Sequence, residues 1–397
     1  MYIAVLYRWL ITLVPIAIAA GRGAADVAFT TAAVLFVIDQ AVIEKNFKPF
    51  KEKWFMASMV FWVYLLIRNV FSDNIMSSMV HALPFIRYPL FALAFQKTLS
   101  EIKWQKRIFL VTTATVIFLA LDSYFQFFIG IDVLGKHKID YRLTGPLSKP
   151  VIGSVIATLC IPLVAYLAHD LTFIKRRVWL SIAIIALIWS IIFFTGERAP
   201  FLRMSAGIGL LTLLAIKTDL KKLGLLLVAA VIIPVALYQA FDSKDIIQRQ
   251  FSSTIDTIQN FKQSVYGKLW ISGTKIGIEN PVFGTGLKHY QSYCQQNSVT
   301  DFCGDHPHNI YIELFTESGI VGLVLFLTMF YFIGATYYPL PDFAKNPVLT
   351  GVLIGILFTI FPFLSSMGFF QNSYAVPLWF MLGWGLSLKA TKEEFKI

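Results

Sequence analysis

The sequence predicts an all-α polytopic membrane protein of about twelve spans with a helical cap on one face. Three observations lead there. Of 397 residues, 57% are hydrophobic and only 14% are charged, against about 25% charged in an average soluble domain. The mean hydropathy is +0.67. Apolar runs of spanning length recur from one end of the chain to the other, separated by short polar segments. This balance excludes an ordinary water-soluble globule and a disordered chain. The net charge of +11 would suggest nucleic acid for a soluble protein. In a membrane protein, excess Lys and Arg marks cytoplasmic loops, and no nucleic-acid-binding signature accompanies the charge.

The runs are Ala4–Ala20, Ala24–Ile43, Trp54–Phe71, Ile75–Phe95, Ile108–Ile129, Val151–Ala168, Val178–Phe194, Pro200–Ile216, Leu223–Phe241, Ile320–Tyr338, Val348–Ser365 and Tyr374–Leu388. The first is followed almost at once by another span, which reads as a retained helix rather than a cleaved leader. His81, Pro84 and Arg87 interrupt the fourth. Intramembrane ionisable residues are functional candidates, although Arg87, placed nearer the cytoplasmic end, can simply snorkel. Orientation follows from the loops. One set carries Lys45, Lys48, Lys51 and Lys53, then Lys97, Lys103, Lys106 and Arg107, then Lys175, Arg176 and Arg177, then Lys217, Lys221 and Lys222. The alternate short loops carry only Arg22, Arg68 and Arg198. The positive-inside rule therefore places the first set and both termini in the cytoplasm.

Two longer segments then fall outside, Gly130–Pro150 and Asp242–Gly319, inserted into a single transmembrane domain spanning residues 1–397. Loops of such length are functional or disordered, and the second has pattern. Ile246, Ile247, Phe251, Ile255, Ile258, Phe261 and Val265 recur every three or four residues between polar ones, the signature of an amphipathic helix. It either lies in the membrane interface, apolar face down, or packs on an external domain of its own. Cys294 and Cys303 sit in this segment, where an oxidising compartment would join them across Tyr293–Gly304, or leave two free thiols. Cys160 lies in an apolar run and reads as a small buried side chain.

The densest polar cluster is Cys303, Gly304, Asp305, His306, Pro307, His308 and Asn309. Structural zinc wants four converging ligands, and no second ligand cluster is evident, so no metal is expected. Asn309 reads as the N-cap of the following helix. That leaves His308 at the membrane surface, either as an acceptor of a proton from a hydroxyl nucleophile or as an imidazole satisfied by backbone. The second cluster is Gly196, Glu197, Arg198, Ala199 and Pro200, with Pro200 suited to a first helical turn. An Arg at a helix N-terminus is unfavourable by itself. It makes sense where an anion is gripped jointly by amides and guanidinium, or where it pairs with Glu197 or lipid headgroups. Arg142, Arg249, Lys268 and Lys288 are further external cations. The turn Asn280, Pro281, Val282, Phe283, Gly284, Thr285 and Gly286 has glycines that would let backbone approach a ligand. Soluble sugar nucleotides are absent outside the cell, so a glycosyl transfer on this face must draw its donor from lipid.

At these positions the chain resembles the O-antigen ligase and polymerase superfamily of bacterial envelope glycosyltransferases. The ligase motif of that family is His, then Asn, Ser or Gln, nine residues, and Gly-x-x-Gly, Thr or Tyr. His308 and Asn309 are followed by nine residues and then Gly319, Ile320, Val321 and Gly322. Arg198 in its Gly-Glu-Arg-Ala-Pro setting, the stretch from Trp270 to Pro281 and the Tyr141–Pro150 segment are also similar to the family. One departure stands out. Family members carry an Arg shortly before the Trp as a second diphosphate ligand, whereas Val265, Tyr266, Gly267, Lys268 and Leu269 precede Trp270 here. Lys268 supplies charge without the bidentate fork, and Arg249 is the other candidate. The resemblance implies a GT-C-like, metal-independent, inverting glycosyltransferase without cofactor, multi-pass in the bacterial inner membrane and active at the periplasmic face. It implies transfer of a glycan from undecaprenyl diphosphate to lipid A–core, with Arg198 on the leaving diphosphate, His308 as base, and Lys268, Arg249, Arg142 and Asn309 as supporting residues. Polymerisation of the same lipid-linked donor is the alternative. A polyprenyl-glycan flippase fits less well, because transporters place charges near the midplane and often repeat their halves.

Overall fold

The computed structural model describes residues 2–147, 149–173, 178–216, 244–391 and 395. Those residues form a helical bundle with no named strand. In chain order the bundle helices are α1 (Tyr2–Ala20), α2 (Arg22–Val37), α3 (Lys53–Val70), α4 (Ile75–Ala82), α5 (Arg87–Thr98), α6 (Ile102–Ile129), α7 (Ile152–Phe173), α8 (Val178–Phe194) and α9 (Arg198–Ile216). The cap follows with α10 (Lys244–Ile247), α11 (Ser253–Gln259), α12 (Val265–Glu279) and α13 (Tyr290–Gln296). The chain returns to the bundle as α14 (Ile310–Thr336), α15 (Pro347–Thr359) and α16 (Asn372–Ala390).

Among the described residues, six segments are long and apolar enough to cross a membrane: Tyr2–Ala20, Arg22–Ile43, Ile75–Thr98, Ile102–Ile129, Ile152–His169 and Ile310–Thr336. Among the described residues the other expected spans are helical, but α8 and α15 are shorter, at 17 and 13 residues. The run Leu223–Phe241 and the loops at Lys175–Arg177 and Lys217–Lys222 lie outside the described residues. The interrupted span Ile75–Thr98 is two helices joined by a 3-10 turn at Leu83–Ile86, because Pro84 lacks the amide a continuous helix needs. Only 28% of the most apolar window of α14 is buried. An apolar helix left this open suits contact with lipid, not water. Helix α16 is the opposite case. Every residue from Tyr374 to Leu388 is buried, as expected of a helix apolar all round, and it forms the axis against which α5 and α15 pack.

The two ends of the bundle differ in chemistry. One gathers the Lys-rich loops through the Lys97–Glu52 and Arg8–Glu101 ion pairs and the bond from Lys389 Nζ to the Pro339 carbonyl. The other end carries the α1–α2 joint, the 130–150 segment, the α8–α9 turn, the cap and the 360–371 loop. In the cap, the expected single amphipathic helix is broken. It runs through a π turn at Gln248–Ser252 into α11 and stops at Gln259, so that Phe261 falls in a 3-10 turn and Val265 opens the next helix. The cause is local. The Ser264 side chain accepts from the Gly267 amide at 3.0 Å and starts α12 as its N-cap, an arrangement that competes with continuing the previous helix. Ile246 is buried, while Phe251, Ile255 and Ile258 are exposed along one face.

Candidate functional site

Helix α14 positions the first site residue. Asn309 is its N-cap, with Oδ1 accepting from the Tyr311 and Ile312 amides at 3.0 and 3.2 Å and Nδ2 donating to the Pro362 carbonyl at 2.7 Å. The residue before the cap, His308, holds φ at +55°, a left-handed backbone that costs a non-glycine residue about 1–2 kcal/mol. Such strain persists only where surrounding structure imposes it, and it gathers at functional sites. Two bonds to Ser366 impose it here. The Ser366 amide donates to the His308 carbonyl at 2.9 Å, and the Ser366 carbonyl faces His308 Nδ1 at 3.1 Å. With its proton on Nδ1, His308 presents Nε2 as an acceptor. His306 Nε2 approaches the same carbonyl at 3.4 Å, and the two rings lie 4.0 Å apart. Burial pushes the His308 imidazole below its ordinary range, opposed by the Ser366 hydrogen bond and Asp305. His306 is lowered to about 3, by burial first and then by the charges of His308 and Lys288. Both rings are therefore neutral near pH 7. The segment leading to them is tied by a Cys294–Cys303 disulfide, with Cα atoms 5.8 Å apart.

Arg198 begins α9. Its Nη1 donates to the Ser253 carbonyl and to Thr257 Oγ1, each at 2.9 Å, and its guanidinium lies 5.3 Å from the Tyr266 ring centroid. Its remaining donors, Nε and Nη2, have no partner among the described residues. Tyr266 then meets His308 edge to face, with ring centroids 5.6 Å apart. One aromatic ring thus joins the two residues that the sequence singled out. Arg198 and Tyr266 border a cavity of ≈ 370 Å³ walled by Leu202, Ile258, Phe261, Trp270, Phe363 and Leu364, with Thr254, Thr257 and Ser365 as its polar points, and His308 reaches it through its contact with the Tyr266 ring. Glu197 does not pair with Arg198. It is buried and accepts from the Gly153 amide at 2.7 Å. Burial raises its carboxyl to about 7 against the pull of Arg142 and that amide.

The supporting cations divide. Arg249 is committed to the α8–α9 turn, donating to the Gly196 carbonyl at 2.8 Å and to Tyr141 Oη at 3.0 Å. Arg142 donates to the Pro150 carbonyl at 2.8 Å and packs beside Gly196. Both brace the backbone that carries Arg198. Lys268 sits half-buried on α12, two residues beyond Tyr266, and makes no side-chain bond among the described residues. Among these residues no three His, Cys, Asp or Glu side chains converge in a way that could hold a metal ion.

Two expectations need correction. The glycines of the 281–286 turn admit a helix, not a ligand. At Gly319, φ +67° and ψ −172° break α14, and the turn inserts into the break. The Thr285 and Gly286 amides donate to the Thr316 and Glu317 carbonyls, both at 2.9 Å, and the Ile320 amide donates to the Pro281 carbonyl at 2.8 Å. Tyr64 Oη donates to the Ser318 carbonyl at 2.5 Å, and Arg68 clamps the Phe283 and Gly284 carbonyls at 2.6 and 2.5 Å. Broken backbone at membrane depth survives only when its freed groups are satisfied in this way. A Cβ on Gly319 would stand 2.2 Å from the Val282 carbonyl oxygen, and one on Gly322 would stand 2.1 Å from Ser318 Oγ. The Gly-x-x-Gly half of the motif is thus structural, and it supports the helix whose N-terminus carries His308. The second correction concerns Arg87. It does not snorkel at the Lys-rich end. It lies at the cap end, paired with Asp26 at 2.8 Å and bonded to Asn372 Oδ1 at 3.0 Å, because the Pro84 turn and the start of α16 offer it partners there.

Reading the sequence missed Tyr266, which carries no charge and lies outside the polar clusters. It also missed Ser366, whose role is played by backbone. The spacing of Tyr266 four residues before Trp270, both lining one cavity, was the available signal.

Comparison with curated proteins finds no match. Residues 182–327 match the family model described as O-antigen ligase, a stretch that includes Arg198, Tyr266, His308 and the broken helix. Over that stretch the chain is similar to the O-antigen ligase family.

Proposed function

We propose that the protein is a membrane glycosyltransferase that moves a glycan from undecaprenyl diphosphate onto lipid A–core at the periplasmic face of the bacterial inner membrane. The observation that carries this reading is the cavity lined by Arg198 and Tyr266, with His308 against the Tyr266 ring. A greasy wall with one open guanidinium, and a neutral imidazole next to it across Tyr266, suits an amphiphile that has a polyprenyl tail and a diphosphate head. Membrane lipid is the setting, and the exposed apolar row of Phe251, Ile255 and Ile258 lies in its interface.

In this mechanism His308 Nε2 takes the proton of an acceptor hydroxyl as its oxygen attacks the anomeric carbon. The bond from that carbon to the diphosphate oxygen breaks, and the electron pair leaves on the diphosphate. Arg198, through Nε and Nη2, meets the charge that develops there, with Lys268 nearby on α12. A preorganised donor of this kind typically contributes about 3–4 kcal/mol to a barrier, and general-base help is on the order of 10²–10⁴-fold. Displacement in one step inverts the anomeric centre. No metal enters the scheme.

The test uses purified protein given lipid-linked glycan and lipid A–core, with and without chelator. Joined product of inverted configuration, insensitive to chelator, is expected. Lengthening of the donor alone would make the protein a polymerase, and retention or chelator sensitivity would overturn the mechanism.

A further inference from the structure

A second cavity, of ≈ 420 Å³, opens at the cap end. Arg22, Arg87, Lys149 and Lys288 line it with His81 and Asn372, and its only carboxylate is Asp26, already paired with Arg87. Arg22 and Lys149 are exposed and have no side-chain partner among the described residues. Both also border an adjoining cavity of ≈ 340 Å³ that adds Lys136. Lys288, like four other non-glycine residues, His308 among them, lies in the left-handed region, at φ +64°, a strained conformation that surrounding structure must impose. Like charges gathered without counter-ions repel one another, so the arrangement is balanced only when an anion of more than one charge is present.

One loop connects the two cavities. Ser365 lines the Arg198 cavity, the Ser366 carbonyl holds both histidines, and Phe370 to Ser373 line the cationic cavity. The charge of Lys288 is felt at His306. The loop that holds the histidine pair thus runs from an apolar cavity with one Arg to a polar cavity with four cations. A two-substrate transfer needs two sites that both reach the base, and this loop joins two cavities to it.

We infer that the cavity lined by Arg22, Arg87, Lys149 and Lys288 binds the phosphate groups of the acceptor glycolipid and turns its sugar hydroxyl toward His308. The anion site stands on geometry alone; its assignment to the acceptor rests on the function proposed above.

The experiment uses full-length protein in neutral detergent, without donor and without turnover. Binding is measured for three probes: bis-phosphorylated lipid A, its dephosphorylated counterpart, and inorganic phosphate. Lipid A should bind, and removal of its phosphates should weaken it roughly tenfold or more, as loss of charge-assisted bonds predicts. The double variant Arg22→Gln, Lys149→Gln should weaken lipid A by a similar factor while its melting temperature stays unchanged, both residues being exposed. Arg198→Ala should leave lipid A affinity unaltered. Equal affinity for the dephosphorylated probe, or an unaffected double variant, overturns the site. Inorganic phosphate that binds as tightly as lipid A overturns the glycolipid assignment. A drop in lipid A affinity on Arg198→Ala overturns the separation of the two cavities. If lipid A binds as expected but ligation fails, the anion site stands and the proposed function falls. If ligation proceeds and the double variant keeps the wild-type KM for acceptor, the site falls and the function stands.

Discussion

At the scale of single residues, His308 combines two properties that can be tested apart: a strained backbone and a neutral ring. Ala at φ +55° keeps the strain that Gly relieves. The variant His308→Gly should therefore be about 1 kcal/mol more stable than His308→Ala, although both lose glycan transfer by at least about 10²-fold. Thermal unfolding beside an activity assay checks this, and a glycine variant with normal transfer would remove the ring from the mechanism. The pH dependence follows from the direction of the shift. Burial lowers the His308 pKa, so the base form persists below the usual histidine midpoint of about 6.5. The acid limb of kcat/KM should accordingly have its midpoint under pH 6.5. A limb centred above that value would assign the titration to another group. His306 adds a stability effect of the same sign. Its folded value of about 3 lies below the unfolded one, so its contribution is intact above pH 6.5 and is lost as pH falls toward 3. Arg198→Lys should also transfer poorly, because an ammonium cannot offer Nε and Nη2 side by side. These residues were legible in the sequence because charge and capping left a pattern. Tyr266 was not, since an aromatic between polar residues reads the same in a core, an interface or a site.

At the scale of elements, the broken helix is the device that sets the site. The glycine spacing in α14 was visible in the sequence, but not what it admits, because the partner turn lies about 35 residues earlier and only folding brings them together. Gly319→Ala puts a methyl 2.2 Å from the Val282 oxygen on a backbone that Ala disfavours. It should destabilise the protein by more than about 2 kcal/mol or prevent its accumulation. Gly334→Ala, in the same helix with open space around it, should be nearly neutral. Equal behaviour of the two variants would contradict the inserted turn. The cap has its own tie. The Cys294–Cys303 bridge closes a short loop, and in the chain-entropy picture its loss costs about 2–3 kcal/mol. Mass spectrometry without reductant should find both cysteines oxidised. The Cys294→Ser, Cys303→Ser pair should then raise proteolysis between α13 and α14 without unfolding the bundle.

At the scale of the whole molecule, the order of apolar runs gave the helices and their alternation, since each run must bury or face lipid whatever its neighbours do. It did not give the break of the fourth span at Pro84 or the buried axis of α16, which depend on packing. Nor did it give the cationic cleft. Arg22, Arg87, Lys149 and Lys288 are scattered over some 270 positions and meet only because four helix ends and two loops converge. The separation of chemistry between the two ends nevertheless makes one prediction about the molecule in its membrane. Cys160 is buried and the other two cysteines are bonded, so a new exposed cysteine can be read without background. Lys138→Cys lies at the cap end and Lys48→Cys at the Lys-rich end, and both positions are exposed. The positive-inside rule places the first outside and the second inside. A membrane-impermeant maleimide added to intact cells with a permeabilised outer membrane should label Lys138→Cys at once and Lys48→Cys only after lysis. The reverse order would put Arg198, His308 and both cavities in the cytoplasm, where a periplasmic acceptor could not reach them.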